Sequence, residues 1–150
     1  MTKLLVVCLG VVLSLPVNET FTLAEQIGHT SRAYFRFTTS VAKYTIRFDG
    51  FVEVYVDNDM NQKRKRVFFL KREGKGRLER VYFLEHEGDL WLRYDVISGG
   101  SYLMRMEQRS RKQRWVTALI DTSGEAPVIH GDKVLVGALE ISKTTGRVVN

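Results

Sequence analysis

The chain predicts an all-β fold, an antiparallel meander of short strands arranged as propeller-blade-like sheets, with an up-and-down β-barrel as the alternative. Three observations predict it. From Arg32 onward apolar and polar residues alternate with a period near two, the pattern of strands with one face on a core and one in water. Glycine-bearing turns separate these runs at nearly even intervals, as in sandwiches, barrels and propeller blades. No stretch of ten or more residues beyond Arg32 carries a helical period. At 150 residues, with 44% hydrophobic and 27% charged side chains, the composition is that of a globular domain with a core and excludes global disorder.

The N-terminus reads as a targeting segment. Lys3 precedes a run of twelve apolar or small residues, Leu4 to Leu15, which Pro16 ends. A bilayer span needs about 20 residues, so the run is too short to cross a membrane and suits the apolar core of a signal peptide. The expected division is a signal segment over residues 1–24, with Thr22-Leu23-Ala24 ahead of a cut at Glu25, followed by one all-β domain over 25–150. Val12-Leu13-Ser14 is a second candidate cut, and a buried strand or helix is the competing reading of the run. Cys8 is the sole cysteine, so the chain forms no internal disulfide. Use of Cys8 as a lipid anchor is disfavoured, because Val6 and Val7 stand where a small residue is required. Asn18-Glu19-Thr20 fits the glycosylation acceptor pattern, within the part expected to be removed.

The strands follow in order. Tyr34, Phe35 and Phe37 lead to Tyr44, Ile46 and Phe48, then to Val52, Val54 and Val56, with Asp49-Gly50 as a hairpin signal between the last two sets. Further strands are expected over Val67–Leu70, Arg80–Leu84, Leu90–Tyr94, Tyr102–Met106, Arg114–Ile120 and Lys133–Leu139. Their separators include Glu87-Gly88-Asp89, Ser98-Gly99-Gly100, Ser123-Gly124-Glu125 and His130-Gly131-Asp132.

The last third repeats. Tyr102 to Trp115 and Gly137 to Asn150 carry the same order of strand, polar turn and strand at a spacing of 35 residues. Such a period belongs to stacked or radially repeated units, none of which buries its apolar face alone.

Residues 99–150 resemble a PQQ-like (quinoprotein-type) β-propeller repeat. In Pro127 to Gly137 a proline opens a strand, Gly131-Asp132 turns, and the next strand ends in glycine. Met106-Glu107 followed by Ser110 to Trp115 is similar to the family's blade ending, with Arg111 where glycine is expected. The second copy keeps Thr145-Gly146-Arg147 but has Asn150 in place of tryptophan. The resemblance implies radial β architecture and extracytoplasmic placement. It carries no catalysis over, because family enzymes hold a quinone within a closed ring. At about 40 residues per blade this length supplies three or fewer of the four to eight blades that close one.

A net charge of +6 and a pI near 9.6 point to anionic neighbours. Lys63, Arg64, Lys65 and Arg66, continued by Lys71 and Arg72, form one basic group; Arg109, Arg111, Lys112 and Arg114 form another. These are the candidate polyanion contacts, for lipid head groups or polysaccharide, with a protein partner as the alternative; secretion sets nucleic acid aside. Charged edge strands also guard sheets against aggregation, which is the competing reading of both groups.

Asp57-Asn58-Asp59-Met60-Asn61 opens like a calcium loop, but Gln62 and Phe68 replace the glycine and glutamate such a loop needs. His29, His86 and His130 are scattered, with His86 expected in a solvated turn between Glu85 and Glu87, and no zinc spacing occurs. Trp91 and Trp115 alternate with apolar neighbours and are expected in the core. No catalytic frame is present, and no cofactor or metal is expected. The functional expectation is a secreted or periplasmic, non-catalytic binding or scaffold module. The alternatives are a lipocalin-like barrel carrying an apolar ligand and a fragment of a quinoprotein-like assembly.

Overall fold

The computed structural model describes residues 18–28, 34–48, 51–58, 63–71, 78–97, 100–120 and 124–149. Among these residues the protein is all strand and turn, with no helix. Three successive meanders form. The first is β4 (Tyr34–Thr38), β5 (Lys43–Phe48), β6 (Phe51–Asn58) and β7 (Lys63–Lys71); the second is β8 (Leu78–His86), β9 (Asp89–Val96), β10 (Gly100–Glu107) and β11 (Gln113–Leu119). The third is β12 (Val128–His130), β13 (Lys133–Val136) and β14 (Leu139–Ser142), and Val148 adds a single bridge to Ile141 where a fourth strand would run. Every pairing is antiparallel, and the expected runs lie within these strands, except that Ile120 falls just beyond β11 and the last run splits at Gly137 into β13 and β14.

The three sheets stack face to face. Between first and second lie Phe35, Phe37, Tyr44, Ile46, Val54 and Val56 against Val81, Leu90, Leu92, Tyr94, Met104 and Met106, all buried. Between second and third lie Trp91, Leu103, Trp115 and Leu119 against Ile129, Val134, Val136 and Ile141. The middle sheet is covered on both faces, so β9 is buried at every position: Leu90, Leu92, Tyr94 and Val96 face the first sheet, while Trp91 and the paired Arg93 and Asp95 lie on the face toward the third. The up-and-down barrel does not form: the chain leaves each sheet after its meander, and β7, β11 and β14 each end a sheet's order.

An extended segment ties the stack together. β1 (Glu19–Thr20) adds to β12, β2 (Thr22–Leu23) to β8, and β3 (Glu25–Ile27) to β4, each beside the first strand of a meander. Between these pairings the chain steps from sheet to sheet. At the first step Phe21, 3% exposed, enters the core between third and second sheets, and its amide donates to Pro127 O at 2.9 Å. At the second, Ala24 enters the core between second and first, and its amide donates to Val81 O at 2.8 Å. This strap therefore includes residues 18–24, inside the stretch that a cut ahead of Glu25 would remove. The apolar run Leu4–Leu15 and the cut site after Ser14 lie outside the described residues.

The 35-residue repeat is visible in the backbone. In the turn after β10, Arg111 N donates to Glu107 O and Glu107 N to Lys112 O, both at 2.9 Å; 35 residues on, Gly146 N donates to Ser142 O and Ser142 N to Arg147 O, again at 2.9 Å. The pair Met106 and Gln113 is matched by Ile141 and Val148. Arg111 adopts φ 62° where its counterpart Gly146 has φ 72°, so the turn forms in the first copy without its glycine. The turn between β8 and β9 has φ 54° at Glu87 and 76° at Gly88, the two left-handed residues of a tight hairpin.

Gly146 has a second reason to be glycine. The Trp115 ring lies on it, and a Cβ there would fall 2.4 Å from Trp115 Cδ2. The indole N–H of Trp115 donates to Lys143 O at 2.9 Å, so one side chain of the second sheet is seated on the last turn of the third.

Candidate functional site

Two polar constellations stand out. The first lies at the end of the stack where the β8–β9 and β10–β11 turns meet the β4–β5 loop. Asp89, 1% exposed, opens β9 and accepts from Arg105 Nε and, at 2.8 Å, from Arg114 Nε. Arg114 also donates to Glu107 at 3.0 Å. Arg105 lies 4.5 Å from the Trp91 ring centroid and donates to Lys143 O at 2.8 Å. His86 is not in a solvated turn, as expected from its glutamate neighbours. Its side chain is 19% exposed, with Nδ1 2.6 Å from Glu19 of the strap and Nε2 2.9 Å from Lys143 Nζ. The hydrogen bond from Lys143 holds the Glu87 carboxyl below the usual carboxylate value against the opposing effect of burial, with Lys143, His86 and Arg105 adding Coulombic support.

Beside this lies a second network. Gln108 Nε2 donates to Glu85 at 2.7 Å, while Gln108 Oε1 accepts from Thr39 at 2.9 Å and Tyr44 at 3.0 Å. Burial works to raise the Glu85 carboxyl, but donors from Ser40, Gln108 and Thr39 outweigh it and the net shift is downward. Burial raises the Tyr44 phenol, with help from Glu85. A recess of about 340 Å³ opens here, lined by Ser40, Glu85, Glu87, Asp89, Gln108, Arg109 and Arg114, among others. Its acids and bases bind one another, which makes it a fastening between sheets.

The second constellation covers the outer face of the first sheet. Register places Tyr34, Arg47 and Glu53 in one cross-strand row, Arg36, Thr45 and Tyr55 in the next, and Lys43 with Asp57 beyond. Glu53 is 5% exposed although it lies on the side away from the core. Arg47 covers it, donating to Glu53 at 2.9 Å through Nε and to the Tyr55 hydroxyl at 2.8 Å through Nη2. The Arg47 guanidinium lies 4.9 Å from the Tyr55 ring centroid and that of Arg36 lies 5.3 Å from Tyr34. The bond to Glu53 raises the Arg47 pKa. Alternation alone gives no hint of this arrangement, because arginine and tyrosine at outward positions are ordinary solvent-face residues. The one available signal is Glu53 six residues after Arg47, on the other side of Asp49-Gly50, which lie outside the described residues.

The sequence-predicted basic residues divide between two outer edges. Lys63, Arg64, Lys65, Arg66 and Lys71 lie on β7, the last strand of the first sheet, where Arg64 pairs with Asp57 and Arg66 with Tyr55 in register; Arg72 lies outside the described residues. Arg109, Arg111 and Lys112 occupy the β10–β11 turn and Arg114 lies on β11, the corresponding strand of the second sheet. Arg114 is committed to Asp89 and Glu107, so it is a structural cation. Of the calcium-like loop, Asp57 and Asn58 end β6 and the rest falls outside the described residues. Trp91 and Trp115 are core residues as expected, at 0% and 7% exposure, with ring centroids 5.9 Å apart in an edge-to-face contact. Comparison with known protein families, with characterised proteins and with solved structures finds no match for this chain.

Proposed function

We propose that the chain is a secreted or periplasmic, non-catalytic binding module: a rigid stack of three sheets that presents the outer face of its first sheet to an anionic partner of the cell envelope. The observation that carries the reading is the set of cations on that face, held in place by what lies beneath them. Arg47 is fixed by a buried carboxylate and a tyrosine, and Arg36 lies against Tyr34. A solvated guard charge needs no such support. Guanidinium groups already ordered in the free protein lose less freedom when an anion arrives. The apolar run ahead of the strap and the net charge of +6 support the placement. The stacked meanders favour the blade-like reading, including the resemblance to a PQQ-like repeat, over an apolar-ligand carrier, because the space between the sheets is filled by side chains.

The test is fractionation of cells expressing the full chain, with intact mass and N-terminal sequencing of the recovered protein, alongside an Arg36→Gln/Lys43→Gln variant. The expected result is export, with association to the envelope fraction that weakens in the variant and is unchanged in Lys133→Gln on the opposite outer face. An unprocessed chain in the cytosol, or envelope association indifferent to Arg36 and Lys43, overturns the reading.

A further inference from the structure

Export leaves open where the chain is processed, and the strap chooses among the candidate sites. We infer that the N-terminal leader is removed by cleavage between Ser14 and Leu15, so that the mature protein begins Leu15-Pro16-Val17 and keeps the whole strap. The inference rests on the export part of the function proposed above. A leader peptidase reads a small side chain next to the bond it cuts and a second slender one two positions earlier, behind an apolar run of about 7–15 residues. Between Leu9 and Ile27 the small side chains are Gly10, Ser14 and Ala24, with Thr20 and Thr22 next in size. A cut after Gly10 puts Cys8 at the earlier position and leaves only Leu4 to Val7 as the apolar run, which is below that range.

The later sites fail on the product they leave. A cut after Thr20 removes β1 and both of its pairings to β12, Glu19 with Ile129 and Thr20 with Val128. It also removes the hydrogen bond from His130 Nδ1 to Asn18 Oδ1 and the contact of Glu19 with His86 at 2.6 Å. A cut after Thr22 takes Phe21 as well, 3% exposed in the core between the second and third sheets. A cut after Ala24 removes β2 and the small residue, 5% exposed, at the step between the second and first sheets. A nascent chain offers these bonds before it folds, but each product would reach the envelope without the segment that joins the sheets. Cuts after Leu15, Pro16 or Val17 would spare the strap, yet they put a large side chain or a rigid proline next to the bond. Ser14 remains. Val12 stands two positions before it, Leu4 to Val11 gives an apolar run of eight residues, and three residues separate the cut from Asn18. The run and the strap then have separate tasks, one discarded after targeting and the other kept for assembly.

The experiment recovers the exported protein from cells expressing the full chain and reads its intact mass and N-terminal sequence, beside Ser14→Leu and Thr22→Arg. The mature protein is expected to begin at Leu15. Ser14→Leu puts a large side chain beside the bond and should be recovered mostly with residues 1–14 still attached. Thr22 is exposed, and Thr22→Arg would block a cut ahead of Glu25, so this variant should be processed as the parent is. The inference is overturned if the exported protein begins at any other residue, Glu25 and Met1 included, if Ser14→Leu is cut as completely as the parent, or if the start moves in Thr22→Arg. An exported protein with a different start removes the cut at Ser14 and leaves the binding module. An unprocessed chain in the cytosol removes both.

Discussion

Removing the strap should separate the third sheet from the second. Consider two chains, one beginning at Asn18 and one at Glu25. The shorter lacks β1 and β2, the amide bonds of Phe21 to Pro127 and Ala24 to Val81, and the Phe21 side chain, 3% exposed in the core behind Trp91 and Trp115. Deleting a buried phenylalanine side chain costs about 3–5 kcal/mol, and each backbone hydrogen bond contributes about 1 kcal/mol net. The sum is at least about 5 kcal/mol, a large share of the roughly 5–15 kcal/mol that stabilises a domain. At about 2–4 °C per kcal/mol for a chain of this size, the melting temperature should fall by about 10 °C or more. Tryptophan emission is a direct readout, because Trp91 and Trp115 both lie in the joint the strap closes. The chain beginning at Asn18 should unfold in urea in one transition, and the chain beginning at Glu25 should show red-shifted emission before any denaturant is added. Phe21→Ala in the longer chain should reproduce most of the loss. Superimposable unfolding curves for the two chains would refute the reasoning, and so would an exported, folded protein that begins at Glu25.

Three further predictions concern the repeated turn and the acids around the β8–β9 turn. Gly146→Ala places a Cβ 2.4 Å from Trp115 Cδ2 at φ 72°, and the combined overpacking and left-handed strain should cost about 2–4 kcal/mol, read as a lower urea midpoint. Arg111→Gly relieves about 1–2 kcal/mol of left-handed strain against about 0.5–1 kcal/mol of glycine entropy, so the midpoint should rise slightly; a fall would show that Arg111 contributes contacts that outweigh its backbone. Glu85 and Glu87 have carboxyls held below their usual value of 4.5, so their stabilising effect is full above that value and is lost as pH falls through the lower folded values. Melting temperature should drop on acidification below about 4.5, less steeply in Glu85→Gln/Glu87→Gln, and a parallel drop in both proteins would assign the effect to other carboxylates.

Much of the fold was legible because strand alternation and turn glycines are local signals. The runs at Tyr34, Tyr44, Val52 and Leu90 announced their strands, and the 35-residue spacing announced equivalent turns. Stacking was only partly legible: β9 has Leu90, Leu92, Tyr94 and Val96 at one parity, but at the other Trp91 stands with Asp89, Arg93 and Asp95, which reads as a solvent face although it is buried. The strap was not, because Glu19 to Ile27 has no strong period and its pairing partners lie far away along the chain. The expected cut ahead of Glu25 also falls inside it. The enclosure of His86 was hidden by distance along the chain as well. Neighbouring glutamates suggested solvent, while the residues that enclose it, Glu19 and Lys143, lie 67 and 57 positions away.

The outer faces say how such a stack meets its surroundings. Where sheets contact each other in this protein, the contact is made by Phe35, Ile46, Leu92 and Met104 in one layer and by Trp91, Leu103, Val134 and Ile141 in the other. The outer face of the third sheet instead carries the cross-strand pair of Lys133 with Glu140 at 3.2 Å, and the outer face of the first carries Arg47 with Glu53 at 2.9 Å. Covering either face with a further dry sheet would take an ion pair out of water, and the loss of solvation commonly exceeds what the pair regains by attraction. Adding a sheet on either face carries that cost, as the joint between the second and third sheets does where it buries Arg93 with Asp95 at 3.2 Å. A hydrated, charged ligand meets no such cost on the first sheet. It can take up donors of Arg36 while water remains around the rest, so an anion reaches this face without the desolvation that a dry sheet would impose on Arg47 and Glu53.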